Sequence, residues 1–156
     1  MDRFILLLGT GLGTGYAPFA PGTMGTLLAI PLYYGLSEIP SPLYELTLAG
    51  LFFLSVWVAE KAGALLGQKD DPRIVIDEIM GFFVTTLWMP KTVLFILVGF
   101  VLFRFFDILK PPPIRLMEKM RGGYGVVLDD VVAGLYANLL LHWTAWIAPS
   151  FQAFLP

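Results

Sequence analysis

Apolar residues are concentrated in five segments, which are separated by short runs of charged, glycine and proline residues. The segments cover residues 24–36, 43–66, 74–89, 92–109 and 126–147. A helix needs roughly 20 apolar residues, with a range of about 17 to 25, to cross the hydrocarbon core of a bilayer. The second, fourth and fifth segments meet this requirement, whereas the first and third are short and could be tilted, re-entrant or interfacial. The pattern predicts an all-α, polytopic membrane bundle of about four to five apolar helices.

The composition supports a membrane protein. Of the 156 residues, 57% are hydrophobic and 14% are charged, and the mean hydropathy is +0.76, which leaves little polar surface to dissolve a soluble globule. The length predicts a single domain over residues 1–156. The lack of cysteine excludes disulfides and thiolate metal sites. A net charge of −2, without a basic stripe, argues against nucleic acid as a partner.

The basic residues predict how the segments are oriented in the membrane. If the N-terminus is cytoplasmic and all five segments cross, every one of the ten basic residues except Lys91 falls on the cytoplasmic side. This asymmetry is the positive-inside pattern. The same topology puts the acidic clusters around residues 77, 107 and 129 on the cytoplasmic side. We therefore expect a multi-pass protein whose functional site faces the cytoplasm.

Two adjacent pairs of carboxylates lie where apolar segments begin. Asp77 and Glu78 are near the start of the third segment, and Asp129 and Asp130 are near the start of the fifth. Acidic residues can cap a helix N-terminus, which is the structural explanation of either pair alone. Two pairs at one membrane level, however, would repel each other unless a cation lies between them. Hard oxygen ligands, without cysteine or a suitably placed histidine, favour Mg²⁺ or Mn²⁺.

A third cluster combines cations with another carboxylate. Arg104, Asp107 and Lys110 are spaced three residues apart, so their side chains share part of one helix face. Pro111 ends that helix, and Arg115 returns to the same surface. A snorkelling arginine with an ion pair at the membrane edge is the structural alternative. Next to a carboxylate-bound metal, fixed cations suit a phosphate ester, whose negative charge they share.

A run rich in glycine and threonine, residues 21–26, leads into the first apolar segment. Its backbone N–H groups and the hydroxyls of Thr23 and Thr26 could contact an anion, although a helix cap or a close-packing site explains the same residues. His142, the one histidine, lies 12 residues after Asp130, which is about 18 Å along a helix. We expect His142 to make an interhelical or interfacial hydrogen bond and to have no catalytic role.

Four strings of residues give the chain a resemblance to a known family. They are APGTMGT at 20–26, DEIMG at 77–81, FRFFDILKP at 103–111 and GGYGVVLDDVVAG at 122–134. In this order, and over most of the chain, they resemble the bacterial phosphatidylglycerophosphatase A family. One departure, Met80 where the family commonly has valine or a similar residue, is conservative in size and polarity.

The resemblance implies a Mg²⁺-dependent lipid phosphatase. Such an enzyme converts phosphatidylglycerophosphate to phosphatidylglycerol, a step of glycerophospholipid biosynthesis, at the cytoplasmic face of the inner membrane. The phospholipid substrate and the surrounding membrane lipid would then be its partners. The functional positions that the resemblance implies are Asp77, Glu78, Arg104, Asp107, Lys110, Asp129 and Asp130.

The residues and the resemblance agree on a mechanism. Some of the four paired carboxylates would hold Mg²⁺, and one carboxylate that does not bind the metal would act as the general base. Arg104 and Lys110 would neutralise the phosphoryl oxygens, with Arg115 as a further cation. Direct attack by water is favoured over a phospho-enzyme, because the chain has no D-x-D pair of the kind used for an aspartyl-phosphate.

Two other functions stay open at this point. A metal-dependent phosphatidyltransferase would also need acidic helix ends, but its carboxylates should be spaced at i, i+3 and i+4 and not in adjacent pairs. A non-enzymatic cation-binding membrane protein, such as a carrier, would place ionisable groups near the bilayer midplane, where the second, fourth and fifth segments have none. Gly50, Gly63 and Gly67 would permit helix pairing and hence a homo-oligomer.

Overall fold

The computed structural model describes residues 1–147, which form seven α-helices and a 3₁₀ turn (Thr14–Tyr16), with no β-strand in that range. The helices are α1 (Asp2–Gly9), α2 (Pro21–Leu36), α3 (Leu43–Leu66), α4 (Ile76–Thr85), α5 (Val93–Leu109), α6 (Ile114–Met117) and α7 (Gly123–Ile147). The all-α fold predicted from the apolar pattern is confirmed.

The third apolar segment is shorter than predicted. It was expected over residues 74–89, but the helix that it forms, α4, has only 10 residues. The Thr86 hydroxyl donates to the carbonyls of Phe82 and Phe83 in the last turn, and Trp88 then takes a φ of +58°, so the chain leaves the helical path. By contrast, α3 has the predicted bounds, and α2, α5 and α7 begin within three residues of theirs.

Two helices in the described part of the chain are long and apolar enough to cross a membrane, Leu43–Leu66 in α3 and Gly123–Trp146 in α7. The 17 residues of α5 rise about 26 Å and are at the lower end of the spanning range, whereas the 10 residues of α4 rise about 15 Å, half of a hydrocarbon core. Large apolar side chains on the outside of the bundle, including Val93, Ile108 and Trp143, are exposed. This apolar exterior supports lipid surroundings, while the number of crossings stays a prediction.

The contact between α4 and α7 is the most extensive in the bundle. The two helices run in parallel, because Gly81 lies against Gly134 and, one turn later, the Thr85 carbonyl accepts a hydrogen bond from the Asn138 amide. A Cβ added to Gly134 would lie 2.3 Å from the Gly81 carbonyl oxygen, so the two backbones touch. This contact brings the first turn of α4, with one carboxylate pair, level with the second turn of α7, which carries the other.

The remaining long helices surround this pair. α2 runs parallel to α4, since Gly25 packs on Val75 before α4 begins and the Tyr33 hydroxyl donates to the Met89 carbonyl, 3.5 Å away, after α4 ends. α3 and α5 both pack on α7. Phe103 of α5 is fully buried against Gly81. As a result, the starts of α2 and α4, the second turn of α7 and the end of α5 meet at one end of the bundle.

Candidate active site

Three carboxylates from two helices converge at that end of the bundle. Asp77 and Glu78 lie in the first turn of α4, Asp130 lies in the second turn of α7, and one oxygen of each is within 4.8 Å of the others. Asp77 and Asp130 are buried, with exposed fractions of 6% and 4%. Within residues 1–147, Asp77 Oδ1 and Glu78 Oε2 have no hydrogen-bond partner. Buried anionic oxygens without partners are costly, and a hard cation would satisfy them.

The pKa values of the two α4 carboxyls reflect this burial. Loss of hydration raises the pKa of Glu78 to about 7. Burial likewise raises the pKa of Asp77, and the neighbouring Glu78 charge acts in the same direction. Both carboxyls belong to α4, which is not one of the two candidate membrane spans. A bound cation would favour the charged forms, so these carboxylates fit a Mg²⁺ or Mn²⁺ ion better than a helix-capping role.

Arg104, near the end of α5, faces the triad. Its Nη1 atom is 3.8 Å from Glu78 Oε1 and 2.6 Å from Asp107 Oδ2. The closer contact is an ion pair without hydrogen-bond geometry, and both Nε and Nη1 are buried without a hydrogen-bond acceptor in the described chain. The guanidinium therefore has donors to spare beside the carboxylates, which is the arrangement needed to bind an anion.

Lys110 and Asp129 form a second ion pair. Lys110 ends α5 in the left-handed region, with a φ of +46°, and its Nζ donates to Asp129 Oδ2 over 2.7 Å. The Glu118 carboxylate lies 3.7 Å from the same Nζ. Asp129 Oδ1 is buried and accepts no hydrogen bond from residues 1–147. Asp129 is thus held by Lys110, whereas its neighbour Asp130 joins the triad.

The other predicted phosphate contacts are two threonines of α2 and an arginine of α6. The Thr26 hydroxyl is buried and donates to the Gly22 carbonyl in its own helix, 2.9 Å away. Thr23 is half-buried in the first turn of α2, and Arg115 is exposed on α6. The roles suggested for these three residues stay predictions.

Three carboxylates, two of them buried, converge beside an arginine whose Nε and Nη1 have no hydrogen-bond acceptor among residues 1–147. This arrangement suits a phosphomonoester held beside a hard cation. The family model for phosphatidylglycerophosphatase A matches residues 7–145, nearly the whole described chain. The chain belongs to the phosphatidylglycerophosphatase A family. Family membership makes it a lipid phosphate phosphatase, a phosphoric monoester hydrolase, and confirms the resemblance inferred from the four strings of residues.

Relatives in three bacteria cover most of the chain. Phosphatidylglycerophosphatase A of Escherichia coli K12 is 36% identical over 139 residues, 88% of this chain and 81% of that protein. The enzyme of the same name from Haemophilus influenzae is 39% identical over 143 residues, 88% of this chain and 86% of that one. A Bacteroides thetaiotaomicron protein, named as a phosphatidylinositol-3-phosphatase, is 40% identical over 150 residues, 91% and 94% of the two chains.

These names agree on the reaction and differ on the lipid headgroup. Membership of the phosphatidylglycerophosphatase A family therefore establishes the class of enzyme and does not decide the substrate. No solved structure matches the chain, so the arrangement of the site is argued from the residues of this protein.

Two contacts in the structure of this phosphatidylglycerophosphatase A family member were not predicted from the sequence. Asp71, in the loop between α3 and α4, is buried and accepts two 2.7 Å hydrogen bonds from Arg73, which lower the pKa of its carboxyl. Gly22 lies directly against Glu78 and Arg104. The ion pair could have been predicted, because Asp71 and Arg73 are only two residues apart in the sequence. The contacts of Gly22 could not, because they join segments that are far apart in the sequence.

Within residues 1–147, His142 does not make the interhelical or interfacial hydrogen bond that its position predicts, because its polar contact lies within α7. Its Nδ1 lies 3.0 Å from the Asn138 carbonyl, one turn earlier in α7. It is more than three turns beyond Asp130 along the same helix. This geometry supports the exclusion of His142 from the site.

Proposed function

We propose that this chain is a Mg²⁺-dependent lipid phosphatase that hydrolyses phosphatidylglycerophosphate to phosphatidylglycerol and phosphate. The observation that carries the proposal is the triad of Asp77, Glu78 and Asp130 within 4.8 Å. Beside it lies Arg104, whose Nε and Nη1 have no hydrogen-bond acceptor in the described part of the chain. A phosphatidyltransferase and a non-enzymatic cation-binding protein are less well supported, because the family is one of phosphatases.

The triad would hold the metal ion. Its residues fit Mg²⁺, because the site is made of hard carboxylate oxygens and two of these, Asp77 Oδ1 and Glu78 Oε2, are buried without a partner in the described chain. When bound, Mg²⁺ supplies positive charge at the phosphoryl group and acidifies a nearby water. Asp129, which was predicted as a further ligand, is paired with Lys110 and suits a different role.

The side chains around the triad would bind the phosphate and move the proton. Arg104 would donate to the non-bridging oxygens from Nε and Nη1, while Asp107 holds its guanidinium in place. Lys110 would neutralise part of the same charge. Asp129 Oδ1 would accept the proton of the attacking water as its oxygen bonds to phosphorus. The bond from phosphorus to the glycerol oxygen breaks, and that oxygen leaves as a hydroxyl after taking a proton from solvent.

The site would work at the cytoplasmic face of the bacterial inner membrane. α3 and α7 meet the requirements for crossing a bilayer, and apolar side chains cover the exterior of the bundle. Headgroup contacts of Thr23, Thr26 and Arg115, a homo-oligomer and a single domain over residues 1–156 remain part of the proposal.

Phosphate release by the purified protein in detergent micelles tests the proposal. We expect release from phosphatidylglycerophosphate with Mg²⁺, none with EDTA, and at least a roughly 100-fold loss in Asp130→Asn, which removes one anionic ligand. His142→Ala is the matched control on the same helix and should stay within about threefold of wild type, since His142 lies outside the site. Folded wild-type protein that releases no phosphate from this lipid, or Mg²⁺-independent release, would refute the proposal.

A second substrate is favoured by one comparison. The Bacteroides relative is 40% identical and is named for phosphatidylinositol 3-phosphate, which also carries a phosphomonoester on a lipid headgroup. The same assay with this lipid distinguishes the two. A kcat/KM higher for phosphatidylinositol 3-phosphate would keep the metal-dependent reaction and replace the proposed substrate.

A further inference from the structure

Gly22 makes an unusually close contact with two residues of the candidate site. It lies in the first turn of α2, where a Cβ added to its backbone would be 2.0 Å from Glu78 Oε1 and 3.0 Å from Arg104 Nη1. Glu78 Oε1 is itself 3.8 Å from Arg104 Nη1. The hydrogen of Gly22 thus occupies space beside the Glu78 carboxylate into which even a methyl group would not fit.

Moving α2 away to relieve such an overlap would break its close packing on the segment before α4. One turn along, Gly25 packs so closely on the segment before α4 that a Cβ there would lie 2.6 Å from Val75 Cβ. The Thr26 hydroxyl, which is fully buried, donates to the Gly22 carbonyl and ties the first turn together. The flexible partner in the overlap is the end of the Glu78 side chain. A methyl group at position 22 would therefore displace the Glu78 carboxylate more easily than it would separate the helices.

We propose that Gly22 is a positioning residue for the metal site. By having no side chain, it lets the first turn of α2 close over Glu78 and keep that carboxylate within reach of Asp77 and Asp130. This inference rests on the proposed metal-dependent function, in which Glu78 is a ligand. It makes the geometry of the triad depend on a third helix that contributes no ligand of its own.

Binding of Mn²⁺, as a probe for the divalent ion, tests this role without turnover. The full chain is purified in detergent, and free Mn²⁺ is measured by electron paramagnetic resonance. We expect Gly22→Ala to bind Mn²⁺ about tenfold or more weakly than wild type, as for other residues that hold metal ligands in place. The matched control is Gly35→Ala at the other end of α2, where an added Cβ would meet nothing within 4 Å in the described chain; its Mn²⁺ affinity should be unchanged.

The outcomes separate this inference from the proposed function. Three results would each overturn the inference about Gly22. They are a wild-type Mn²⁺ affinity in Gly22→Ala, an equal loss of Mn²⁺ affinity in Gly35→Ala, and a wild-type protein that binds no Mn²⁺. A wild type that binds Mn²⁺ but hydrolyses no lipid phosphate would refute the proposed function and leave the role of Gly22 in metal binding intact.

If Gly22→Ala does not fold, the same substitution is made in a Glu78→Ala variant to test the inference. Glu78→Ala removes the atoms that the new methyl group would overlap, so the double variant should fold with a Tm within a few degrees of Glu78→Ala alone. A purely structural need for glycine in α2 predicts the same loss of Tm in both backgrounds. A double variant that also fails to fold, while Glu78→Ala folds, would overturn the inference.

Discussion

Replacing Asp130 by asparagine should have opposite effects on stability with and without Mg²⁺. The three oxygens of the triad lie within 4.8 Å of one another, and two unit charges at that distance repel by about 3.5 kcal/mol at an effective dielectric constant of about 20. Asp130→Asn removes two of the three pairs, about 7 kcal/mol before protonation relieves part of it. If only a quarter of this repulsion energy appears as a gain in the free energy of unfolding, the Tm in EDTA rises by roughly 5 °C.

The assay is thermal unfolding at pH 8, above the pKa of about 7 of Glu78, so that this carboxyl is charged. Wild type should be stabilised by Mg²⁺ in proportion to the logarithm of its concentration above the Kd. Asp130→Asn should melt higher than wild type in EDTA and show almost no further rise with Mg²⁺, because a ligand and the repulsion that the ion relieves are both lost.

Asp129→Asn is the matched control, since it makes the same change one residue earlier. It breaks the 2.7 Å pair with Lys110 and leaves that ammonium with Glu118 at 3.7 Å. We expect a lower Tm in EDTA and a Mg²⁺-induced rise like that of wild type. If Asp130→Asn keeps the rise with Mg²⁺, or melts below wild type in EDTA, the assignment of Asp130 to a metal-binding triad is wrong.

Three further variants test the neighbouring parts of the structure. Arg104→Lys should lower kcat about tenfold or more, because an ammonium cannot reproduce the guanidinium fork. Arg121→Lys, at an exposed position between α6 and α7, should change kcat little, and equal effects in a kinetic assay would contradict the role of Arg104. His142→Ala should leave the pH profile of kcat/KM unchanged, and the loss of one limb of that profile would bring His142 into the mechanism. Gly134→Ala should destabilise the fold by about 1–3 kcal/mol or more, judged by Tm, since its Cβ would lie 2.3 Å from a carbonyl oxygen; Gly50→Ala, with nothing within 4 Å among the described residues, should not.

The helices were predicted best where the chain is uniformly apolar. α3 has the predicted bounds, 43–66, because a proline precedes it and a left-handed glycine, Gly67, ends it. The end of α4 was missed because the bonds from Thr86 to the preceding turn and the positive φ of Trp88 are not encoded by hydropathy. α1 was missed because 8 residues give a short apolar pattern, and it is held by packing, with Gly9 against Ala62 of α3.

The chemical content of the site could be read from the sequence, but its arrangement could not. The sequence by itself determined which carboxylates and cations lie at the ends of apolar helices. Charged residues at membrane depth are costly and usually functional, so they marked the site, and the four strings of residues identified the family. It did not distinguish Asp129 from Asp130. Neighbours on a helix point about 100° apart, so which of the two meets Asp77 depends on how α7 is rotated against α4. The glycine contact between those helices decides that rotation, and it turns Asp130 to the triad and Asp129 to Lys110.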